Sequence, residues 1–141
     1  MSTNLLSPTT RIKVSSTLNK DVTNFGKQFL VDGEDETCWN SDQGSPQFIL
    51  IDLQTPTSVQ ELHIMFQGGF VGKECQALGA VEGNDYLLLG NFYPEDNNDI
   101  QKFSLENHTP VKKLKLVFES STDFFGRITI YRLEVFGEKT H

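Results

Sequence analysis

Apolar and polar residues alternate with a period of two along much of the chain. In the clearest case, segment 111–118, Leu114, Leu116 and Phe118 share one face while lysines occupy the other. This pattern is typical of a strand with one buried face. Because little of the chain shows the 3.6-residue period of an amphipathic helix, we predict an all-β sandwich. Further strands are predicted at 11–16, 48–53, 57–66, 77–82, 86–92, 100–105 and 127–136.

The single tryptophan lies between two polar turns, in the stretch from residue 29 to residue 53. The stretch ends in the predicted strand 48–53, which is apolar on both faces apart from Asp52. A strand with one solvent-exposed face alternates apolar and polar residues more regularly, so this strand is expected to be buried on both faces. We predict that Trp39, between the turn and this strand, is a structural anchor of the core.

The order Asp32-Gly33, acidic residues, Thr37, Trp39 and a polar turn before the strand resembles the core motif of discoidin, or coagulation-factor C-type, domains. Those domains are jelly rolls of the galactose-binding-like class. Longer blocks are similar to the family of small nuclear-receptor-associated proteins that partner a testicular orphan receptor. The blocks are DETCWNSDQG (35–44), FQGGF (66–70), FYPEDNN (92–98), DFFGR (123–127) and IYRLEVFGEK (130–139). This resemblance implies a discoidin-like jelly roll of about eight strands.

Length indicates a single domain, since 141 residues can bury a core without disulfides or metals. Residues 1–10 are polar overall and are expected to form a flexible N-terminal segment. The galactose-binding-like domain is predicted to span 11–137, followed by a short tail at 138–141.

Charge and cysteine usage narrow the functional classes. The formal net charge is −7 and no basic run is present, which argues against direct binding to nucleic acid or to an anionic membrane. The N-terminus carries no secretory signal, and Cys38 and Cys75 lack metal-binding spacing, so we expect free thiols in a protein that is not secreted but nuclear and cytoplasmic. No catalytic motif is present, which argues against an enzyme.

One candidate site is a cation site. Asp32, Asp35 and Thr37 fall on one tight loop, and their oxygens could surround a hard cation such as Ca²⁺ together with Glu134 on the last strand. In related galactose-binding-like domains, a structural Ca²⁺ often occupies this loop. The alternative is that Asp32 caps the turn while Glu134 pairs with an arginine or lysine.

A second candidate site is a partner-binding face made by three loops that combine phenylalanine with glycine. Exposed aromatic rings on loops are typical of recognition surfaces. The alternative is that the rings close the end of the barrel, and at least one of Phe124 and Phe125 is expected to do so. The predicted partner-binding residues are Asn24, Phe25, Gly69, Phe70, Phe124 and Arg127, with Arg127 as a clamp for a carboxylate.

Three functions remain open on the sequence. The resemblance implies an interaction module that binds an orphan nuclear receptor and suppresses its transactivation by hindering its DNA binding. The alternatives are a carbohydrate- or lipid-binding discoidin-type module, or a substrate-docking subunit of a larger assembly. Fold alone does not choose between them.

Overall fold

The structure is a computed structural model and describes residues 3–140. Within that range the only α-helix, α1 (Val22–Phe25), is flanked by 3₁₀ turns at Leu18–Lys20 and Lys27–Leu30. None of these helical segments is long and apolar enough to cross a membrane. The strands of the described residues are β1 (Thr3–Asn4), β2 (Arg11–Val14), β3 (Trp39–Asn40), β4 (Gln47–Phe66), β5 (Cys75–Ala80), β6 (Leu87–Phe92), β7 (Ile100–Ser104), β8 (Val111–Phe118) and β9 (Thr129–Lys139).

Strand β4 belongs to both layers of the molecule. Residues 49–52 pair with β2 on one side and with β8 on the other. Residues beyond 57 pair instead with β7 and β9. The change of pairing partners follows Gln54, whose φ of 69° lies in the left-handed region. At the same place the pairing of β4 with β8 shifts register, between Asp52 and Thr57. The two strands predicted at 48–53 and 57–66 are therefore one bent strand, because both halves remain paired through the irregularity.

The nine strands of the described residues form one hydrogen-bonded antiparallel sheet, and β4 divides it into two layers that share one core, which we call the first and the second sheet. The first sheet has the order β2-β4-β8-β5-β6, and the second contains β7-β4-β9, with β1 and β3 pairing in succession along the far edge of β9. Inward-facing residues of both sheets belong to a single buried cluster that includes Ile49, Ile51, Leu114 and Leu116 from the first sheet and Leu62, Ile64, Leu133 and Val135 from the second. The all-β sandwich predicted by the alternating pattern is confirmed.

The expectation that strand 48–53 is buried on both faces was wrong. Ile49 and Ile51 are fully buried, whereas Phe48 and Leu50 are only half-buried on the outer face of the first sheet. The ammonium of Lys115 lies 4.8 Å from the centre of the Phe48 ring. The aliphatic part and the ammonium of Lys115 thus cover the Phe48 ring, which lies outside the core.

Both ends of the domain differ from expectation in the described residues. Thr3 pairs with Gly137, and the Leu5 N–H donates to the carbonyl of Val135 at 2.7 Å. Leu6 is buried in the core, so residues 3–6 are packed against the domain, while Ser7, Pro8 and Thr9 are exposed. At the other end β9 continues to Lys139, so residues 138 and 139 of the predicted tail belong to the strand. The N-terminal segment packs here because the edge of β9 offers backbone groups for hydrogen bonding and because Leu6 has an apolar side chain to bury. Residues 1, 2 and 141 lie outside the described range.

Trp39 occupies the core between the two polar turns. Its side chain is 0% exposed, its backbone pairs with Ile130 on β9, and its indole N–H donates to the carbonyl of Ser16 at 3.0 Å. The ring therefore connects the second sheet to the loop that follows β2. Burial of the ring agrees with the position predicted from the sequence.

Replacement of Trp39 by alanine should lower the free energy of unfolding by about 3–5 kcal/mol, because it removes a large buried aromatic and leaves a cavity. Trp39→Phe keeps most of the packing and loses the hydrogen bond to Ser16, so a smaller loss of about 1–2 kcal/mol is expected. Denaturant unfolding monitored by circular dichroism measures both. Wild-type stability in Trp39→Ala would contradict the role of Trp39 as an anchor.

Candidate functional site

Two of the three predicted loops meet at one end of the sandwich. The Val71 N–H donates to the hydroxyl of Thr122 at 3.0 Å, and the Thr122 N–H donates to the Val71 carbonyl at 2.8 Å. Gly72 and Ser121 form an isolated bridge beside them. These contacts bring the loop of Phe70 beside the loop of Phe124, Phe125 and Arg127, and we call these four residues the aromatic tip.

Arg127 is the centre of the aromatic tip. Its Nε and Nη2 donate to the two carboxylate oxygens of Asp123 at 2.9 and 3.2 Å. The guanidinium carbon lies 5.1 Å from the Phe70 ring centre and 5.6 Å from the Phe125 ring centre. The carboxylate clamp predicted for a partner is therefore made within the chain, and Arg127 instead holds two rings in place.

Phe124 and Phe125 both lie at the surface. Phe124 is 93% exposed and Phe125 is 53% exposed, with the ring centres 5.3 Å apart in an edge-to-face arrangement. The expectation that at least one of them closes the barrel was wrong. The reason is local: the turn that begins at Asp123 and closes with Gly126 places both rings at its apex, outside the sheets.

Gly126 fixes the position of this turn. Its φ is +84°, and a Cβ there would lie 2.7 Å from the carbonyl oxygen of Gly44. The Gly44 N–H also donates to the Phe125 carbonyl at 2.8 Å. Only glycine allows this close approach of the two loops, so the tip is supported by the loop of residues 42–46.

The supporting loop is held in turn by Gln47, a residue that sequence reasoning missed. Gln47 is buried, and its amide nitrogen donates to the carbonyls of Asp42 at 3.2 Å and Gly44 at 2.8 Å. Its amide oxygen accepts from the hydroxyls of Ser15 and Ser16. A glutamine next to an apolar strand was the only signal in the sequence, since the two serines that it bonds lie about thirty residues away in the chain.

The third predicted loop is held separately. Asn24 donates through its backbone N–H and its side chain to the carboxylate of Asp21, at 3.1 and 2.9 Å. Phe25 is half-buried within α1. The hydrogen bonds recorded for described residues 21–26 stay within the segment 18–29. We therefore define the aromatic tip without Asn24 and Phe25, whose part in a partner-binding face stays a prediction.

Gly69 is exposed beside the tip and is positioned by the acidic turn 93–99. The N–H groups of Gly68 and Gly69 donate to Asn98 Oδ1 and Asp96 Oδ1, each at 2.7 Å. Because Asp96 and Asn98 accept these hydrogen bonds, the 93–99 turn holds the 68–70 loop in position. It also adds carboxylates close to the tip.

Among the predicted cation ligands, Asp32 and Thr37 are bonded to each other, while Asp35 and Glu134 lie against different residues. The Thr37 hydroxyl donates to Asp32 Oδ2 at 2.5 Å, and Asp32 Oδ1 caps the turn by accepting the Glu34 N–H at 3.0 Å. Asp35 pairs with Arg132 at 2.7 Å, while Glu134 lies 3.9 Å from His63. Within residues 3–140, no three His, Cys, Asp or Glu side chains are grouped to hold a metal. Calcium binding stays a prediction, and it would require these side chains to leave their partners.

The two cysteines are free thiols in different environments. Cys75 is buried, and desolvation together with Glu119 and Glu74 raises its pKa above the usual range. Cys38 is only half-buried, and partial burial raises its pKa as well. Neither thiol is activated as a nucleophile in these surroundings.

Comparison with known proteins adds a family to this geometry. Residues 16–139 match the model of the Sad1 / UNC-like C-terminal family. Nuclear receptor 2C2-associated protein of Danio rerio is 48% identical over 139 residues, covering 99% of both chains. Its counterpart of Xenopus tropicalis is 49% identical over 137 residues, covering 97% of this chain and all of that protein. The chain belongs to the nuclear receptor 2C2-associated protein family, within the Sad1 / UNC-like C-terminal domains.

Solved structures identify the fold of this family member as a galactose-binding-like jelly roll. The C-terminal domain of a chitobiase from Bacteroides fragilis aligns with a TM-score of 0.81, covering 96% of this chain and 99% of that one, at 20% identity. The family 32 carbohydrate-binding module of NanJ from Clostridium perfringens, solved with galactose, aligns with a TM-score of 0.79 over 96% and 99% of the two chains, at 15% identity. At such identities the likeness concerns the fold alone.

The ion pair at the tip predicts a pH dependence. The hydrogen bond from Arg127 holds the pKa of Asp123 below its usual value, so this carboxylate stabilises the fold above the unfolded-state pKa of about 3.9. The stabilisation is lost as pH falls through the lower, folded-state pKa. The stability difference between wild type and Asp123→Asn should therefore be constant from about pH 7 to 5 and shrink at lower pH.

Denaturant unfolding at each pH measures this difference, and Glu82→Gln, on an exposed turn, is the control for loss of an acidic group. The control should show no comparable change with pH. A difference for Asp123→Asn that is as large at pH 3 as at pH 7 would contradict the proposed role of the ion pair.

Proposed function

We propose that this chain binds a nuclear receptor of the 2C2 type through the aromatic tip and suppresses its transactivation by hindering its binding to DNA. The names of the relatives support the receptor-associated part, since they apply to proteins that match almost the whole chain at 48–49% identity. The fold and the absence of any catalytic motif in the sequence support a binding module rather than an enzyme.

The observation that carries the choice of surface is the exposure of Phe124, which is 93%. Large aromatic residues dominate the energy of protein interfaces, and a ring held in place before binding loses little conformational entropy when it docks. Phe124 stacks edge-on against Phe125, and Phe125 lies against the Arg127 guanidinium. The aromatic tip thus presents an exposed apolar side chain, Phe124, that is supported by Phe125 and Arg127.

The charge around the tip favours a basic partner. The 93–99 turn, which supports the 68–70 loop, contains Glu95, Asp96 and Asp99, and the chain as a whole has a formal net charge of −7. Surfaces that bind DNA are basic because they must neutralise phosphates. An acidic module that docks on such a surface competes with DNA for it, which gives repression without any contact between this chain and DNA. This role places the protein in the nucleus as well as the cytoplasm.

The test is capture of purified nuclear receptor 2C2 by wild type and by the double variant Phe124→Ser/Phe125→Ser. Loss of two anchors should weaken binding by at least about 2 kcal/mol, or roughly 30-fold in Kd, while thermal stability changes little because neither ring is in the core. Val81→Ser is the control: Val81 is 46% exposed and follows Ala80, at the opposite end of β5 and β8 from the tip loops. Equal loss in the control, or intact capture by the double variant, would overturn the tip as the binding site.

The same proteins test the repression mechanism in a gel-shift titration of the receptor with its DNA element. Wild type should dissociate the receptor–DNA complex, the double variant should not, and no complex of this chain with the DNA should form. Capture that depends on the tip but leaves the receptor–DNA complex intact would support association and contradict hindrance of DNA binding.

A further inference from the structure

Four cations converge on the outer face of the first sheet. Arg11 and Lys13 alternate with buried Ile12 on β2, and Lys113 and Lys115 alternate with buried Leu114 on β8. β4 lies between the two strands, so that Arg11 and Lys113 both pair with Asp52, and Lys13 and Lys115 both pair with Leu50. The sequence shows no basic run because the two pairs are a hundred residues apart, but the sheet places them side by side.

No ion pair recorded for residues 3–140 includes any of the four cations. The Lys113 ammonium donates to the carbonyl of Gly83 at 3.4 Å, and the other three cations have no hydrogen bond recorded for their side chains. The single acid in their midst, Asp52, accepts the Gln54 N–H at 2.9 Å, and the nearby turn 81–85 contributes Glu82 and Asp85 at the border. In a chain with a formal net charge of −7, a group of unpaired cations on one face is a local exception.

The cations alternate with apolar side chains. Across the strands, the row that starts at Lys13 continues through Leu50, Lys115, Leu78 and Leu88. Leu50 and Leu78 are half-buried, and Leu88 is 44% exposed. The Lys115 ammonium lies 5.6 Å from the Tyr86 ring as well as against Phe48. Such a row offers anchors for apolar groups and charges for acidic groups at intervals of one strand spacing, about 4.8 Å.

A depression of about 260 Å³ lies at the β2 side of this face, lined by Arg11, Lys13, Leu50, Ile51, Asp52 and Lys113. Its volume is below the range of pockets that enclose a drug-sized ligand. It suits one or two side chains of a larger partner, with cations on both walls and Leu50 between them.

We propose that the outer face of the first sheet is a second docking surface, which takes an acidic segment of a partner protein that also carries apolar side chains. The row from Lys13 to Leu88 spans four strand spacings, about 19 Å, which corresponds to roughly six residues of extended chain. Charge complementarity selects an acidic partner, and the leucines select apolar side chains between the acids. A nucleic acid fits less well, since the Asp52 carboxylate and the leucines would face its phosphates. This surface is distinct from the aromatic tip and has the opposite charge preference.

The test uses fluorescein-labelled twelve-residue peptides and fluorescence anisotropy with the full chain. The first peptide has six Asp or Glu residues and four Leu or Phe residues; a second replaces the acids by lysine, and a third replaces the apolar residues by serine. The first should bind, and the other two should bind at least tenfold more weakly. A labelled single-stranded DNA of twelve nucleotides, measured in the same assay, tests whether nucleic acid binds this chain as tightly as the first peptide does.

The variant Arg11→Glu/Lys13→Glu should weaken binding of the first peptide at least tenfold, since both side chains are exposed. Lys20→Glu/Lys102→Glu makes the same change in net charge at exposed positions elsewhere and should have little effect. Thermal melts of both variants check that the fold is kept. No binding of the first peptide, equal loss in the two variants, or DNA binding as tight as that of the peptide would each overturn the proposal. The receptor is absent from this assay, so its outcome is independent of the proposed function.

Discussion

The structure depends on the pairing of a single strand with both sheets. β4 runs for 20 residues, pairing first with β2 and β8 and then with β7 and β9. Inward residues from both of its halves, such as Ile49 and Ile64, therefore belong to the single core that the two layers share. A change of register in β4 would turn its apolar residues outward in both sheets, so the burial of one half fixes the position of the other.

The position of the aromatic tip follows from this arrangement through a short series of contacts. Gln47, at the start of β4, holds the loop 42–46, and the backbone of that loop contacts Gly126 and Phe125. Arg127 then joins the rings of Phe70 and Phe125. Gln47 lies on β4, and the loop groups are joined to it by this series of contacts, so the exposed Phe124 is supported by neighbouring loops rather than carried on a long free loop. Interfaces gain affinity from such preorganisation.

The sequence was most informative where the pattern was local. Alternation in 111–118 predicted β8 and its inward residues, and the single tryptophan next to the acidic turn pointed to the core. The sequence did not reveal contacts between distant segments: the position of Arg127 against the Phe70 ring, the pairing of Thr3 with β9, and the convergence of Arg11 and Lys113 across β4. Periodicity carries no information about which strands become neighbours, so the basic face could be found only in three dimensions, whereas the phenylalanines of the tip could be named from the sequence.

The central claim is that the aromatic tip is where a nuclear receptor binds. Amide hydrogen exchange, compared between the free chain and its complex with nuclear receptor 2C2, tests it without any substitution, since it reports protection segment by segment. The account predicts slower exchange in residues 68–72 and 122–127 on complex formation, with little change along β6. Protection absent from these two segments and located elsewhere, for example along β2 and β8, would contradict the claim.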